Sequence, residues 1–487
     1  MKQNVQSVYD ILANYADENA AMSAAVGTDV DVNFAQLIQD VDDVSRYILA
    51  QGLKEDALVA VLMEPNYLHT VFILALDRLG MASLSYTFPP ETLMQQQWWL
   101  DTDVQYIFSS KEAPANHKGQ WVRVNDFPRV KGDCVLPVDR KQDRIVRLMC
   151  SSGTTGIPKP IALTRENVMH RARNLLYFSP EEGKDSCFVG MPYDTAGGYN
   201  MMLSVLMYGC ELVLWGHDEN FLKVMLNHRP SHMLLTPLTL RNIAVYGAEH
   251  NIRLDFVKLC LSGGMIFDAR LQDPIRAVFG NSVVNAYGSS EAWGVAGGFV
   301  HEHNYTPYMI GALCDGTQVQ IVDEDHIELP RGEIGIVRIK TEFTIDGYFD
   351  GKNEDYFRDG YFYPGDVGKL DEQNRLSVLG RVDNVINIDG QKILPEPIEE
   401  ELTNLPEIED AVLFQAPTKK GFRVCAAVVL SGDESQHSPD YHNAMIEKIQ
   451  GHLGRLCPQR IFFVSALPRN AMGKVMRREL AHSLVTA

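Results

Sequence analysis

The sequence predicts an α/β fold, with a large multi-sheet N-terminal domain over residues 1–380 and a small α+β C-terminal domain over residues 381–487. Three observations lead there. Helix-period segments alternate with short apolar runs through most of the chain, the pattern of crossover connections on parallel sheets. Near residue 380 this gives way to a hairpin, an acidic helix and a short run of strands. The length, 487 residues, also exceeds what one hydrophobic core holds, so two or three domains are expected.

The elements follow in order. Gln6–Tyr15 and Asn33–Gln51 carry helical periodicity, Ala57–Met63 is a short apolar strand, Tyr67–Leu79 a helix and Ala82–Tyr86 a strand. Arg144–Cys150 and Pro160–Thr164 read as strands on either side of a polar loop. Further strands are expected at Cys187–Val189, Glu211–Leu214, His232–Leu235, Val257–Leu261 and Val283–Asn285. Beyond them, Leu376–Leu379 and Val385–Ile388 read as strands around Gly380–Asn384, and Asp389-Gly390 is a turn signal. Pro395 opens a helix through Leu405, since proline suits a first helical turn. Ala411–Gln415 and Arg423–Leu430 are extended, Tyr441–Leu456 is helical, and Arg460–Val464 leads into a basic tail.

Composition excludes several function classes. The net charge of −19 argues against nucleic acid as the main partner, because a phosphate backbone needs a basic footprint. The longest apolar stretches, such as Val71–Leu76, are broken by charge well before membrane-spanning length. No apolar core follows Lys2, so the N-terminus does not read as a signal peptide. The eight cysteines are scattered, without a Cys-x-x-Cys pair, which fits buried thiols in a reducing cytoplasmic compartment.

One string stands out. Ser151-Ser152-Gly153-Thr154-Thr155-Gly156-Ile157-Pro158-Lys159 packs hydroxyls, glycines and a lysine between two strands. Glycines let backbone amides approach an anion, hydroxyls add donors, and lysine supplies charge. The order is not that of a Walker A loop, which sets aside a P-loop kinase or GTPase. With this string the chain resembles the adenylate-forming enzyme family, which includes acyl- and aryl-CoA ligases, peptide-synthetase adenylation domains and beetle luciferases. The family's usual glycine after the lysine is replaced here by Pro160.

Further blocks resemble that family in its order. Asn285-Ala286-Tyr287-Gly288-Ser289-Ser290-Glu291 is similar to the element that faces adenine, acyl group and phosphate, and its glutamate would help hold Mg²⁺. Asp359–Asp366 looks like the ribose-binding element, with Asp366 gripping a vicinal diol and Pro364 where threonine is common. Gly380–Ile393 resembles the inter-domain block. There Arg381 would bind ribose or phosphate, Asp383 would be the hinge of a mobile small domain, and Gly390 would line the path of a thiol-bearing arm. Leu467–Val475 is similar to the closing element, in which Lys474 would be the adenylation lysine. Singly, each block has an ordinary structural reading: a solvated loop, a turn, a salt-bridging arginine, a solvated tail lysine. The ordered set, from residue 151 to 475, carries the resemblance.

The resemblance implies that ATP and Mg²⁺ activate a carboxylic acid as an acyl- or aryl-adenylate, with pyrophosphate released. A thiol acceptor, CoA or the phosphopantetheine of an acyl or peptidyl carrier protein, would follow. The acid pocket falls around Tyr193, Asp194, Thr195, Gly263 and Gly264. Counted from Pro192, Thr195 takes the place where many acyl-CoA ligases carry histidine. Aligned on aromatic-Asp, Tyr193-Asp194 resembles amino-acid-activating members. The ordinary role of Asp194 is a helix cap or turn. An acyl or aryl acid is the leading expectation, and an amino acid loaded onto a carrier protein is the alternative. A non-catalytic nucleotide-binding relative is a different class of outcome, against which Lys474, Asp366 and Glu291 count together.

Overall fold

The structure, a computed structural model, describes residues 6–64, 66–86, 93–130, 132, 135–151, 159–215, 220–263, 269–302, 308–351, 353–388, 391–418, 421–432, 438–469 and 475–485. Among these residues a six-stranded sheet runs in the order Gln120–Arg123, Tyr106–Ser109, Leu58–Leu62, Ala82–Ser85, Ile145–Ser151, Lys159–Thr164. Its pairs are parallel until the last, an antiparallel hairpin that ends the sheet. The expected phosphate loop connects the two strands of that hairpin.

A second, fifteen-stranded sheet has two characters. Ser23–Gly27, Glu211–Val213, Ser186–Gly190, His232–Leu235, Leu259–Gly263 and Val283–Ser289 lie parallel, as the alternating pattern implies. From Trp293–Phe299 onward the pairing is antiparallel through Met309–Leu313, Arg375–Arg381, Asp366–Leu370 and Gly335–Lys340. Sequence reasoning assigned no elements to most of this antiparallel part. The hairpin Ser23–Gly27 with Val30–Asn33 is also new. Its first strand buries consecutive alanines, Ala24 and Ala25, and so lacks the alternation that marks a half-buried strand.

The two sheets share one core with the helices Phe34–Ala50, Tyr67–Leu79 and Ala196–Met207, built from Leu37, Val59, Val61, Phe72, Leu76, Met201, Leu206, Leu261 and Val284 among others. The helix expected at Asn33–Gln51 begins at Phe34 because Asn33 is its cap, accepting from the Gln36 amide. Tyr67–Leu79 is buried on nearly every side, which explains its apolar run. Among the described residues, no helix is long and apolar enough to cross a membrane.

The C-terminal residues form their own sheet, Ile408–Thr418, Gly421–Leu430 and Arg460–Phe463, beside the hairpin Ile386–Ile388 with Gln391–Ile393. Helices Pro395–Thr403 and Pro439–Leu453 cover one face over Ile398, Leu402, Leu413, Val428 and Ile449. Arg477–Val485 covers the other over Phe414, Ala427 and Leu480. Contacts back to the larger part include an Arg270 Nη1 hydrogen bond to the Thr403 carbonyl (3.0 Å) and an ion pair between Lys392 and Glu324. The seven described cysteines are free thiols.

Candidate active site

The hairpin register sets Ser151 opposite Lys159 and Cys150 opposite Pro160. Residues Ser152, Gly153, Thr154, Thr155 and Gly156, together with Gly264, Gly390 and Lys474, lie outside the described residues. Pro160 falls on an edge strand, where a missing N–H costs the ladder little, and its carbonyl accepts from the Phe349 amide at 2.9 Å. The Lys159 ammonium sits over the Tyr356 ring, 3.1 Å from its centroid, and 5.2 Å from that of Tyr348.

Val283–Ser289 carries the second block. Asn285 is buried; its Nδ2 donates to the Met309 carbonyl (3.2 Å), and its Oδ1 has no partner. Ala286 pairs with Gly263 of the neighbouring parallel strand so closely that a Cβ on Gly263 would meet the Ala286 carbonyl oxygen at 2.2 Å. Gly288 is equally tight, with the Trp293 carbonyl oxygen 2.3 Å from where its Cβ would be. Ser289 Oγ closes the turn by accepting from the Ala292 amide (3.0 Å).

Two carboxylates anchor this face. Asp366 and Arg381 are directly opposite on paired strands, and Arg381 Nη1 donates to Asp366 Oδ1 at 2.6 Å. The Tyr287 hydroxyl donates to Asp366 Oδ2, and Arg381 Nη2 donates to the Pro364 carbonyl (2.6 Å). Burial, seconded by the Asp366 charge, pushes the Tyr287 phenol well above its ordinary value, so it stays a neutral donor. Glu291 is 5% exposed, and its Oε1 accepts from the Tyr348 hydroxyl at 2.8 Å. Beneath it the buried Arg171 donates to the carbonyls of Ser290 (2.9 Å) and Phe343 (2.7 Å). Burial lowers this guanidinium to about 10, with Glu291 opposing, which leaves it charged at neutral pH.

The expected acid pocket has a different arrangement from the simplest sequence reading. Thr195, not Asp194, caps the helix Ala196–Met207: its Oγ1 accepts from the Gly198 amide (3.0 Å) and donates to the Pro192 carbonyl (2.7 Å). A threonine suits that place because its hydroxyl reaches the third amide of the turn. Tyr193 is buried, its hydroxyl bonded to Thr70 and its ring edge-on to His69 at 5.2 Å. Its carbonyl accepts from Arg147, a fully buried arginine that also bonds Ser83 Oγ (3.1 Å) and lies 4.2 Å over the Tyr199 ring. Burial lowers Arg147 to about 10, opposed by Tyr199 and then Asp194. The Asp194 charge also bears on Tyr86, which burial chiefly pushes up to about 12.

At the expected hinge, Val382–Asn384 is a short 3-10 turn with Asp383 exposed. Asn384 Nδ2 donates to Glu396 Oε1 (2.8 Å), and the Val382 amide donates to the Gly365 carbonyl (2.9 Å). In the tail, Arg477 is held by Glu399 and the Leu413 carbonyl.

The structure therefore brings Tyr287, Asp366 and Arg381 together, and connects Lys159 to Glu291 through Tyr348. Sequence reasoning missed Tyr348, Tyr356, Arg171 and Arg147. Tyr348 lies 57 residues from Glu291, and no local spacing signals such a contact. Arg171 gave a fainter sign, falling on the same helical face as the apolar Val168.

Comparison with known proteins adds the following. A family model described as AMP-binding enzyme matches residues 12–349, and one described as AMP-binding enzyme C-terminal domain matches residues 397–474. The chain is 26% identical over 462 residues to 2-succinylbenzoate–CoA ligase of Bacillus mycoides, covering 92% of this chain and 93% of that protein. It is 25% identical over 359 residues to 4-coumarate–CoA ligase 2 of Solanum tuberosum, covering 69% of this chain and 65% of that one. Among solved structures, o-succinylbenzoate CoA synthetase of Bacillus subtilis with its acyl-adenylate intermediate OSB-AMP matches at TM-score 0.84 and 22% identity, over 98% of each chain. ATP-bound MatB from Rhodopseudomonas palustris matches at TM-score 0.84 and 21% identity, over 98% of this chain and 99% of that one. At such identity these structures establish the fold.

Proposed function

The chain belongs to the AMP-binding enzyme family of adenylate-forming enzymes, and from that premise we propose that it joins a small acyl or aryl acid to AMP and passes the acyl group to CoA. The observation that carries this reading is the convergence of Tyr287 and Arg381 on the Asp366 carboxylate, three family blocks meeting at one buried group. Each carboxylate oxygen there has a second acceptor site for a ribose hydroxyl. The unpartnered Asn285 Oδ1 is an acceptor suited to the exocyclic amine of adenine.

Glu291 suits Mg²⁺ because a carboxylate is a hard oxygen ligand, and this cation is commonly held by one or two carboxylates plus substrate phosphates. When bound, the ion supplies Lewis-acid neutralisation of phosphate charge. The chain's own residues do the rest. Asp366, Arg381 and Asn285 hold the nucleoside, and the loop 151–159 with Lys159 holds the phosphates. Lys474 offsets the charge that develops as the substrate carboxylate attacks the α-phosphorus and pyrophosphate leaves. The small domain, residues 381–487, then turns about Asp383, and the face around Gly390 guides the thiol to the adenylate carbonyl. AMP departs with the oxygen that came from the acid.

One observation favours a second reading for the acid. Thr195 and not Asp194 caps the helix, and the Asp194 charge acts on Tyr86, Arg147 and Cys150; a carboxylate in that place suits an acid bearing an amino group. A carrier-protein thiol would then replace CoA. The test is pyrophosphate release from ATP and Mg²⁺ across fatty, aromatic and amino acids, with and without CoA. Release and thioester formation with a fatty or aromatic acid are expected. Release with amino acids alone would move the assignment to the second reading, and no release from ATP-binding protein would count against turnover.

A further inference from the structure

The loop that follows strand Gly335–Lys340 joins the two halves of the site. The Phe349 amide donates to the Pro160 carbonyl beside the phosphate loop (2.9 Å), and the Ile345 amide donates to the Glu291 carbonyl (2.9 Å). Thr341 Oγ1 donates to the Ala292 carbonyl (2.8 Å), and Arg171 joins Phe343 to Ser290. Tyr348 lies in the middle of this stitching. Its hydroxyl is on Glu291, its ring faces the Lys159 ammonium, and its amide donates to Asn353 Oδ1 (2.7 Å). Tyr356 and Phe357 pack edge-on against the ring, each 5.5 Å away, so the hydroxyl is held in place rather than free to swing.

We propose that Tyr348 is a positioning residue that fixes the Glu291 carboxylate for a divalent cation and couples it to the phosphate loop through Lys159. The proposal rests on Glu291 being the magnesium carboxylate. A phenylalanine would fill the same space, so the ring alone accounts for packing. The hydroxyl is the part that packing does not require. A buried carboxylate left without that donor rotates toward another partner, which weakens a hard-cation site. Loss of a group that orients a metal ligand in this way typically costs about 10–100-fold in metal affinity.

The experiment is calorimetric titration of ATP into the full chain, with graded Mg²⁺ or with EDTA, for wild type, Tyr348→Phe and Glu291→Gln. Thermal unfolding is recorded alongside. Tyr348→Phe should raise the Mg²⁺ concentration for half-maximal tight binding about tenfold while leaving metal-free ATP affinity within about twofold. Equal weakening with and without metal would show a general structural role and overturn the proposal. An unchanged Mg²⁺ requirement in Tyr348→Phe, with Glu291→Gln impaired, overturns the proposal and leaves the Glu291 assignment standing. Wild-type metal dependence in Glu291→Gln removes both. If Tyr348→Phe does not fold, Glu291→Asp tests the same bond from the other side by drawing the carboxylate back while keeping its charge. A wild-type Mg²⁺ requirement in that variant overturns the proposal.

Discussion

At the scale of single residues, Asp366 links three separate blocks of the sequence. It is 6% exposed and accepts from both Tyr287 and Arg381, so its charge is offset locally before any ligand arrives. Asp366→Asn keeps the shape but replaces an acceptor-only carboxylate with an amide that must turn one N–H toward a donor. ATP affinity is expected to fall about tenfold or more, since a hydrogen bond to a charged group contributes roughly 1.5–3 kcal/mol. Calorimetric titration with ATP measures it, and wild-type affinity would remove Asp366 from the nucleotide site. Lys474 makes the complementary prediction. Lys474→Ala should slow adenylate formation by roughly 10²–10³ while leaving the unfolding midpoint unchanged, as loss of one transition-state donor typically does. Adenylate formation at the wild-type rate would overturn that assignment. Asp366 was legible because Gly365-Asp366 lies in a recognisable block. Its partner Tyr287 was named for adenine, and the bond between the two came only from the fold.

At the scale of elements, helix Tyr67–Leu79 ties the acid side of the site to stability. His69 on this helix bonds Ser85 Oγ (2.8 Å) and packs against Tyr193. Burial, and then the charge of Arg147, lower its imidazole from 6.5 to about 3. The folded chain therefore excludes a proton that the unfolded chain binds between those values. Stability is complete above about pH 6.5 and falls as pH drops toward 3, by up to about 1.4 kcal/mol per unit from this group. Urea unfolding at pH 7 and pH 5 should show the loss, and His69→Gln should flatten it. An unchanged slope in that variant would assign the acid sensitivity to other groups. The turn Val382–Asn384 carries the motion prediction. Asp383→Pro stiffens the backbone at the proposed hinge, so thioester formation should slow more than adenylation in single-turnover measurements. Equal slowing of both steps would contradict a hinge there. Most of the parallel strands and the first three helices were readable from periodicity, His232–Leu235 and Tyr67–Leu79 to the residue. The antiparallel strands between Trp293 and Leu370 were not: Trp293–Phe299 holds three glycines and Met309–Leu313 one, which interrupts the side-chain alternation that marks a strand.

At the scale of the whole molecule, two sheets share a helical core and a smaller sheet stands on cores of its own. That plan was legible from alternation and the change near residue 380, because hydrophobic period reports which faces are buried. The wiring between blocks was not legible. Arg147 and Arg171 are fully buried cations whose partners are mostly backbone carbonyls, and no sequence spacing encodes a carbonyl. On the proposed function, this arrangement drives attack of a carboxylate on the α-phosphorus of ATP. The most direct measurement supplies an acid labelled with ¹⁸O in its carboxylate, then ATP, Mg²⁺ and CoA, and examines the products by mass spectrometry. One ¹⁸O in the phosphate of AMP, pyrophosphate without label, and an acyl-CoA are expected. Label in inorganic phosphate with ADP formed, or AMP without label, would contradict it.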